Sequence, residues 1–208
     1  LRTVAEIRGL LEPLRPRSTV GLVPTMGALH DGHVALLRAA RRECDVVVAT
    51  LFVNPAQFGD PSDLVRYPRD ERRDERIAAD EGADFLFAPS VDEIYPPGYS
   101  TRVTVEGPAH GLEGEFRPGH FRGVATICLK LFAIVRPALA FFGQKDAQQV
   151  AVIRQIVRDL NLELDIRVIP TVRDADGLAL SSRNARLSPD ERARALAIPR
   201  ALAAGRAA

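Results

Sequence analysis

Along the chain, short continuous apolar runs alternate with longer stretches whose apolar residues recur at helical spacing. Thr19 to Pro24, Val46 to Val53, Phe85 to Ala88, Ala138 to Phe142 and Leu164 to Ile169 read as strands, because an unbroken apolar run suits a strand covered on both faces. Helices fall between them. One follows the loop Met26 to His33 and ends near Arg42, and a charged one covers Asp70 to Glu81. Another, Phe121 to Val135, is apolar almost all round and is stopped by Pro137. Ala147 to Leu160 places Val150, Ile153, Ile156, Val157 and Leu160 on one face. Asn54 to Tyr67 reads as a polar loop, Pro96-Pro97-Gly98 as a turn, and Thr101 to Val105 as a short edge strand. This alternation predicts an α/β fold, a parallel sheet covered by helices.

After Pro170 the pattern changes. Thr171 to Leu187 reads as a polar loop, and Ser188-Pro189-Asp190-Glu191 then starts a helix, with Ser188 as cap and Glu191 completing a capping box. A boundary near Pro170 therefore divides the chain into 1–170 and 171–208. There is no internal repeat, and the chain is Ala- and Arg-rich from Arg192 onward.

Composition narrows the classes of function. Hydrophobic residues make up 46% and charged residues 26% of 208 residues, as in a globular chain. No apolar run approaches the roughly 20 residues that span a bilayer, so no membrane role is expected. The 28 basic and 27 acidic residues leave a formal charge of +1, so no overall field gathers nucleic acid. An anion must be held locally. Cys44 and Cys128 lie in apolar surroundings and read as buried thiols, which favours a reducing cytoplasm. Arg2, Glu6 and Arg8 interrupt any signal-peptide pattern, and the chain begins at Leu1, as expected if its start lies upstream. Lys130 and Lys145 are the only lysines, which singles out a lysine in a loop of small and polar residues.

In open α/β sheets, ligands bind beyond the carboxyl ends of the strands. His30 and His33 fall there, beside a helix N-terminus whose free N–H groups favour phosphate, and Gly27 and Gly32 let backbone approach. Two surface histidines capping a helix explain the same residues equally well. Neither Gly-x-x-x-x-Gly-Lys nor Gly-x-Gly-x-x-Gly occurs, and no third metal ligand matches the pair. Gly143-Gln144-Lys145-Asp146 occupies the corresponding loop of a later strand, where Lys145 would neutralise phosphate and Asp146 accept from ribose; a solvated turn is the plain alternative. Asn54, Gln57 and Gln149 are neutral amides near strand ends, suited to orienting a carboxylate without a competing charge. Ser181, Ser182 and Arg183 could fold over phosphates or form an ordinary turn. Arg117, His120 and Arg122 could form a basic rim or merely precede the buried helix.

Taken in order, these segments resemble the pantothenate synthetase family, the ligases of pantoate and β-alanine. The resemblance rests on Val23 to His33, Phe52 to Gly59, Tyr67-Pro68-Arg69, Arg117 to Val124, Phe142 to Asp146 with Gln148-Gln149, and Asp176 to Asn184. The two-histidine motif alone is shared across a wide nucleotidylyltransferase superfamily; the ordered set is far more specific. The resemblance implies a Rossmann-like, doubly wound first domain and a smaller C-terminal lid, here expected to be incomplete. It also implies ATP as substrate, magnesium held mainly through the ATP phosphates, a homodimer, and condensation through a pantoyl-adenylate.

It further implies that Met26, Gly27, Ala28, Leu29, His30, Asp31, Gly32 and His33 line the ATP phosphates, with His33 as proton donor or charge stabiliser. Gly143, Gln144, Lys145 and Asp146 cradle ATP, Val172 packs by adenine, and Leu180, Ser181, Ser182 and Arg183 close over the phosphates. Gln57 and Gln149 hold pantoate, Gln57 also reaching β-alanine, with Asn54 nearby. Superfamily relatives often carry lysine and methionine where Ala179 and Leu180 stand, which leaves Lys145 and Arg183 as cations beside the catalytic pair His30 and His33. Two alternatives remain at this point: a nucleotidylyltransferase with a phosphate-bearing acceptor, which would want a cationic acceptor pocket, and a non-catalytic nucleotide sensor.

Overall fold

A computed structural model describes residues 1–207. Five parallel strands form one sheet: β1 (Val20–Thr25), β2 (Val46–Leu51), β3 (Phe85–Phe87), β4 (Leu139–Gly143) and β5 (Asp165–Ile169), in the order β3-β2-β1-β4-β5. Each strand lies where an apolar run was read, with ends shifted by a few residues. Alternate residues bury on opposite faces. Val46, Val48, Ala140 and Phe142 enter one core with α1 (Val4–Leu11), α7 (His120–Val135) and α8 (Ala147–Asp159). Val47, Ala49 and Phe141 enter another with α2 (Asp31–Glu43) and α4 (Glu71–Asp80). Helices on both faces make this a Rossmann-like, doubly wound sheet. Its order reverses between β1 and β4, and a crevice opens at the carboxyl ends of those strands.

Several helices escape the sequence reading, α1 among them. Within the supposed loop Asn54 to Tyr67, Pro55–Gln57 is a 3-10 turn and α3 (Pro61–Arg66) is a helix, capped by Asp60 through the Ser62 N–H at 2.8 Å. The signal was present: an Asp followed by Pro at the first helical position. Helices α5 (Val91–Ile94) and α6 (Leu112–Phe116) are one turn or little more, too short to show a period.

Thr101 to Val105 is not a strand. The Val103 N–H donates to Thr126 Oγ1 at 3.0 Å, and Val103 and Val105 pack beside Phe121, Ala125, Val152 and Ile156. Alternation there reports one covered face, with a helix hydroxyl in place of a neighbouring strand.

Beyond β5, the stretch read as loop turns back on itself. An antiparallel bridge joins Arg173 to Ala179, and the reversal at Asp176-Gly177 puts Gly177 at φ 88°. A 3-10 helix, Ser182–Arg186, follows, then α9 (Pro189–Ala195) and α10 (Ala197–Ala207). The capping box forms as read: Glu191 N–H donates to Ser188 Oγ at 3.3 Å and Ser188 N–H to Glu191 Oε2 at 2.9 Å. Arg192 of α9 ties the reversal down, bonding Asp174 and Asp176 at 2.7 Å each.

Candidate active site

The crevice at the β1/β4 switch holds a cavity of about 230 Å³. Most of the singled-out residues line it: Met26, Gly32 and the two histidines after β1; Asn54 and Gln57 after β2; Gly143, Lys145 and Asp146 after β4; Gln149 on α8; Val172 and Leu180 to Arg183 from the C-terminal segment. Gly27, Ala28, Leu29, Asp31 and Gln144 do not. Arg122 is exposed on α7 and stays outside as well, whereas Arg117 and His120 enter.

The loop after β1 owes its shape to a residue the sequence did not single out. Asp74 on α4 is 2% exposed and accepts the Ala28 N–H at 2.7 Å and the Leu29 N–H at 2.8 Å. Gly27 and Ala28 both take left-handed backbone, φ 86° and 52°, and a Cβ on Gly27 would meet Asp74 Oδ2 at 2.9 Å. Arg73, next to Asp74 on α4, donates to Leu29 O at 3.0 Å. Ala28 and Leu29 are thus held from outside the cavity in the free site. Their N–H groups are committed to Asp74, and the Leu29 side chain is buried in the core at 1% exposure.

The histidines cap α2 themselves. His30 Nδ1 accepts the Gly32 N–H at 3.1 Å, and His33 Nδ1 accepts the His30 N–H at 3.2 Å, so the N-terminal amides are less free than the sequence suggested. A ring nitrogen that accepts from backbone carries no proton, so in each neutral ring Nε2 is the donor. Burial, then the neighbouring His30 and Lys145, push the His33 imidazole down to about 3; burial, then Lys145, lowers His30. In the free site these are neutral rings. They can donate hydrogen bonds from Nε2 and have no imidazolium proton to give.

Lys145 reaches Asp146 at 3.0 Å, so the two groups pair with each other. At the far wall, His120 shows the opposite tautomer. Its Nδ1 lies 2.9 Å from Gln57 O, a carbonyl that can only accept, so Nδ1 carries the proton and Nε2 faces Arg117 Nη1 at 3.2 Å. Arg117 pairs in turn with Glu113, a cavity residue that no motif flagged. The floor is apolar, with Phe142, Val124, Ile127 and Leu131, and with Cys128, whose thiol burial pushes up to about 12 and leaves inert.

Asn54 is 1% exposed and fully used. Its Nδ2 donates to Gln57 Oε1 at 3.0 Å and Gly123 O at 3.1 Å; its Oδ1 accepts from the Ala56 N–H at 3.2 Å and the Tyr95 hydroxyl at 2.8 Å. A carboxamide offers little more than this. In the free site Asn54 thus fastens the turn that presents Gln57.

That turn lies hard against α7 at Gly123, where a Cβ would fall 2.2 Å from Ala56 O and 2.6 Å from Gln57 N. Gly123→Ala is expected to lower the unfolding free energy by about 1–3 kcal/mol in urea titration, as overpacking does. An unchanged midpoint would mean the turn moves freely.

A profile of the family described as Pantoate-beta-alanine ligase matches residues 1–208. The chain belongs to the pantoate-β-alanine ligase family. The pantothenate synthetase of Moorella thermoacetica is 56% identical over 206 residues, covering 99% of this chain and 73% of that protein. The crystal structure of pantothenate synthetase from Thermus thermophilus superposes with a TM-score of 0.92 at 54% identity, covering 97% of this chain and 72% of the other. The pantoate-β-alanine ligase of Francisella tularensis, solved with β,γ-ATP and β-alanine, gives a TM-score of 0.92 at 41% identity, over 96% and 77% of the two chains. Membership makes the chain a carbon–nitrogen ligase and sets aside both alternatives, the nucleotidylyltransferase and the sensor. No described helix is long and apolar enough to cross a membrane.

Proposed function

We propose that this cavity condenses pantoate with β-alanine at the expense of ATP, giving pantothenate, AMP and pyrophosphate through a pantoyl-adenylate. What carries the reading is that loops from the ends of four strands, with the Ser181–Arg183 segment, converge on one crevice at the switch point. A carboxylate is a poor electrophile, and an amine meeting it at neutral pH is merely protonated. Attack of the pantoate carboxylate on the α-phosphorus creates a leaving group, and the neutral amine of β-alanine then displaces AMP. No side-chain nucleophile is needed; the site aligns the attack and spreads charge.

In this reading the neutral His30 and His33 donate from Nε2 to the phosphate that gains charge. Lys145, freed from Asp146, pairs with phosphate, and Asp146 turns to ribose. Ser181, Ser182 and Arg183 close over the leaving phosphates, Val172 packs by adenine, and Gln57 and Gln149 hold pantoate. Magnesium enters with ATP. Such an ion is held mainly by phosphates and water. Bound there, the ion neutralises phosphate charge. The segment after Pro170 forms a lid-like part, and the protein works as a cytoplasmic homodimer.

Incubation of the chain with ATP, magnesium, pantoate and β-alanine is expected to yield AMP and pantothenate, with pyrophosphate release that depends on pantoate alone. Pyrophosphate released equally without pantoate would overturn the reading.

A further inference from the structure

Over the mouth of the cavity an ion pair joins residues 120 apart in the chain. Asp63, on α3, receives Arg183 Nη2 at 2.7 Å on one carboxylate oxygen and Arg186 Nη1 at 2.8 Å on the other. Its side chain is 23% exposed, and hydrogen bonding by Arg183, then Arg186, holds the carboxyl down to about 2 against the opposing pull of burial. The Arg183 guanidinium lies over the ring of Tyr67, 5.5 Å from its centroid, and Ser182 Oγ reaches the Tyr67 hydroxyl at 3.4 Å. Tyr67 is itself 5% exposed and braced edge-on by Phe58. Arg186 also donates to Arg66 O at 2.8 Å. Of the two arginines, Arg183 lines the cavity and Arg186 does not.

The two contacts on Arg183 do different things. Tyr67 supplies an aromatic surface beneath the guanidinium, and Asp63 fixes its direction through one hydrogen bond. A guanidinium carries five N–H donors in a rigid fork, so one bond to Asp63 leaves donors on the remaining edge. An arginine held this way has already lost the rotamer freedom that a free side chain would surrender on meeting an anion.

We infer that Asp63 is a positioning residue for adenylate formation: with Tyr67 as its floor, it aims the free edge of Arg183 at the departing phosphates. This rests on the reading of Arg183 as a phosphate contact. The rival arrangement is a latch, in which Asp63 competes with phosphate for Arg183 and must let go. The two differ in sign. Removing an aligning group slows the chemical step, whereas removing a competitor tightens ATP binding.

The test compares D63N, D63E, R186M and R183M in the full chain. Pantoate-dependent pyrophosphate release is followed in a single turnover, ATP affinity is measured separately, and the thermal midpoint serves as a fold control. D63N is expected to slow the step roughly 10-fold with a smaller change in ATP affinity, D63E to recover most of the rate, and R186M to stay within about 2-fold. D63N at the parent rate while R183M is slow would overturn the inference, as would tighter ATP binding by D63N. R186M as slow as D63N would also overturn it, because tethering of the segment would then suffice. R183M at the parent rate would remove the phosphate role of Arg183 itself, and the inference with it.

Discussion

His33→Ala is expected to slow pantoate-dependent pyrophosphate release by about 100-fold or more, the usual loss when a donor aimed at developing charge is removed. ATP affinity is expected to fall much less. In the proposed site the ground-state triphosphate would retain His30, Lys145 and the serine segment, all of which line the cavity, whereas the added charge at the α-phosphate exists only in the transition state. The position of the ring proton narrows the expectation. Because His33 Nδ1 accepts from the His30 N–H, the group lost is a neutral Nε2–H donor. His33→Gln, which can keep an amide donor near that point, is expected to recover part of the rate. An unaltered single-turnover rate in the alanine variant would remove His33 from the chemistry.

The same variant carries a stability signature. The His33 ring has a pKa of about 3 when folded, against an ordinary value of 6.5. Above the ordinary value both states are neutral and nothing changes. As pH falls from there toward 3, the unfolded ring binds a proton that the folded ring refuses, so stability is lost through that window, by at most about 1.4 kcal/mol per pH unit. His30 and His120 are lowered in the same direction by burial. His33→Ala is therefore expected to flatten the acid limb of the urea midpoint relative to the parent without removing it. Parallel acid limbs would show that the ring is not refused its proton.

How far the sequence reaches depends on what kind of force each residue reports. The strands and the long helices α2, α7 and α8 were legible because continuous burial writes itself as continuous apolar runs, bounded by Gly and Pro. Thr101 to Val105 misled because alternation records which side chains are covered and is silent on what takes the N–H groups. The histidines and Lys145 stood out because polar residues just after strands have few structural reasons to be there, and the paired serines because they fall beside Arg183 in a polar stretch. Asn54 stood out equally, yet all its capacity goes to other protein groups, which only the folded chain reveals. Asp63 and Asp74 were invisible for the converse reason. Each looks like an ordinary solvated carboxylate, Asp63 in the polar stretch after Gly59 and Asp74 in the charged run Glu71-Arg72-Arg73-Asp74-Glu75, and only long-range contacts set them apart.

Asp74→Ala is accordingly expected to be among the most damaging single changes outside the sheet. It strips acceptors from the Ala28 and Leu29 N–H groups, and an orphaned buried donor costs about 1–3 kcal/mol, so a loss of roughly 2–5 kcal/mol should appear in urea titration. The damage should reach the site. Ala28 is held in left-handed backbone, which is costly for a residue with a Cβ, and without Asp74 the strained turn can relax. Met26 and His30 border that turn and line the cavity, so ATP affinity should fall along with stability. Asp74→Asn separates the two effects. Its amide keeps one acceptor but presents N–H to a backbone N–H, so it should retain much of the stability while still loosening the loop. A folded Asn variant with parent ATP affinity would show that Asp74 only holds α4 against the loop and leaves the nucleotide site to the histidines.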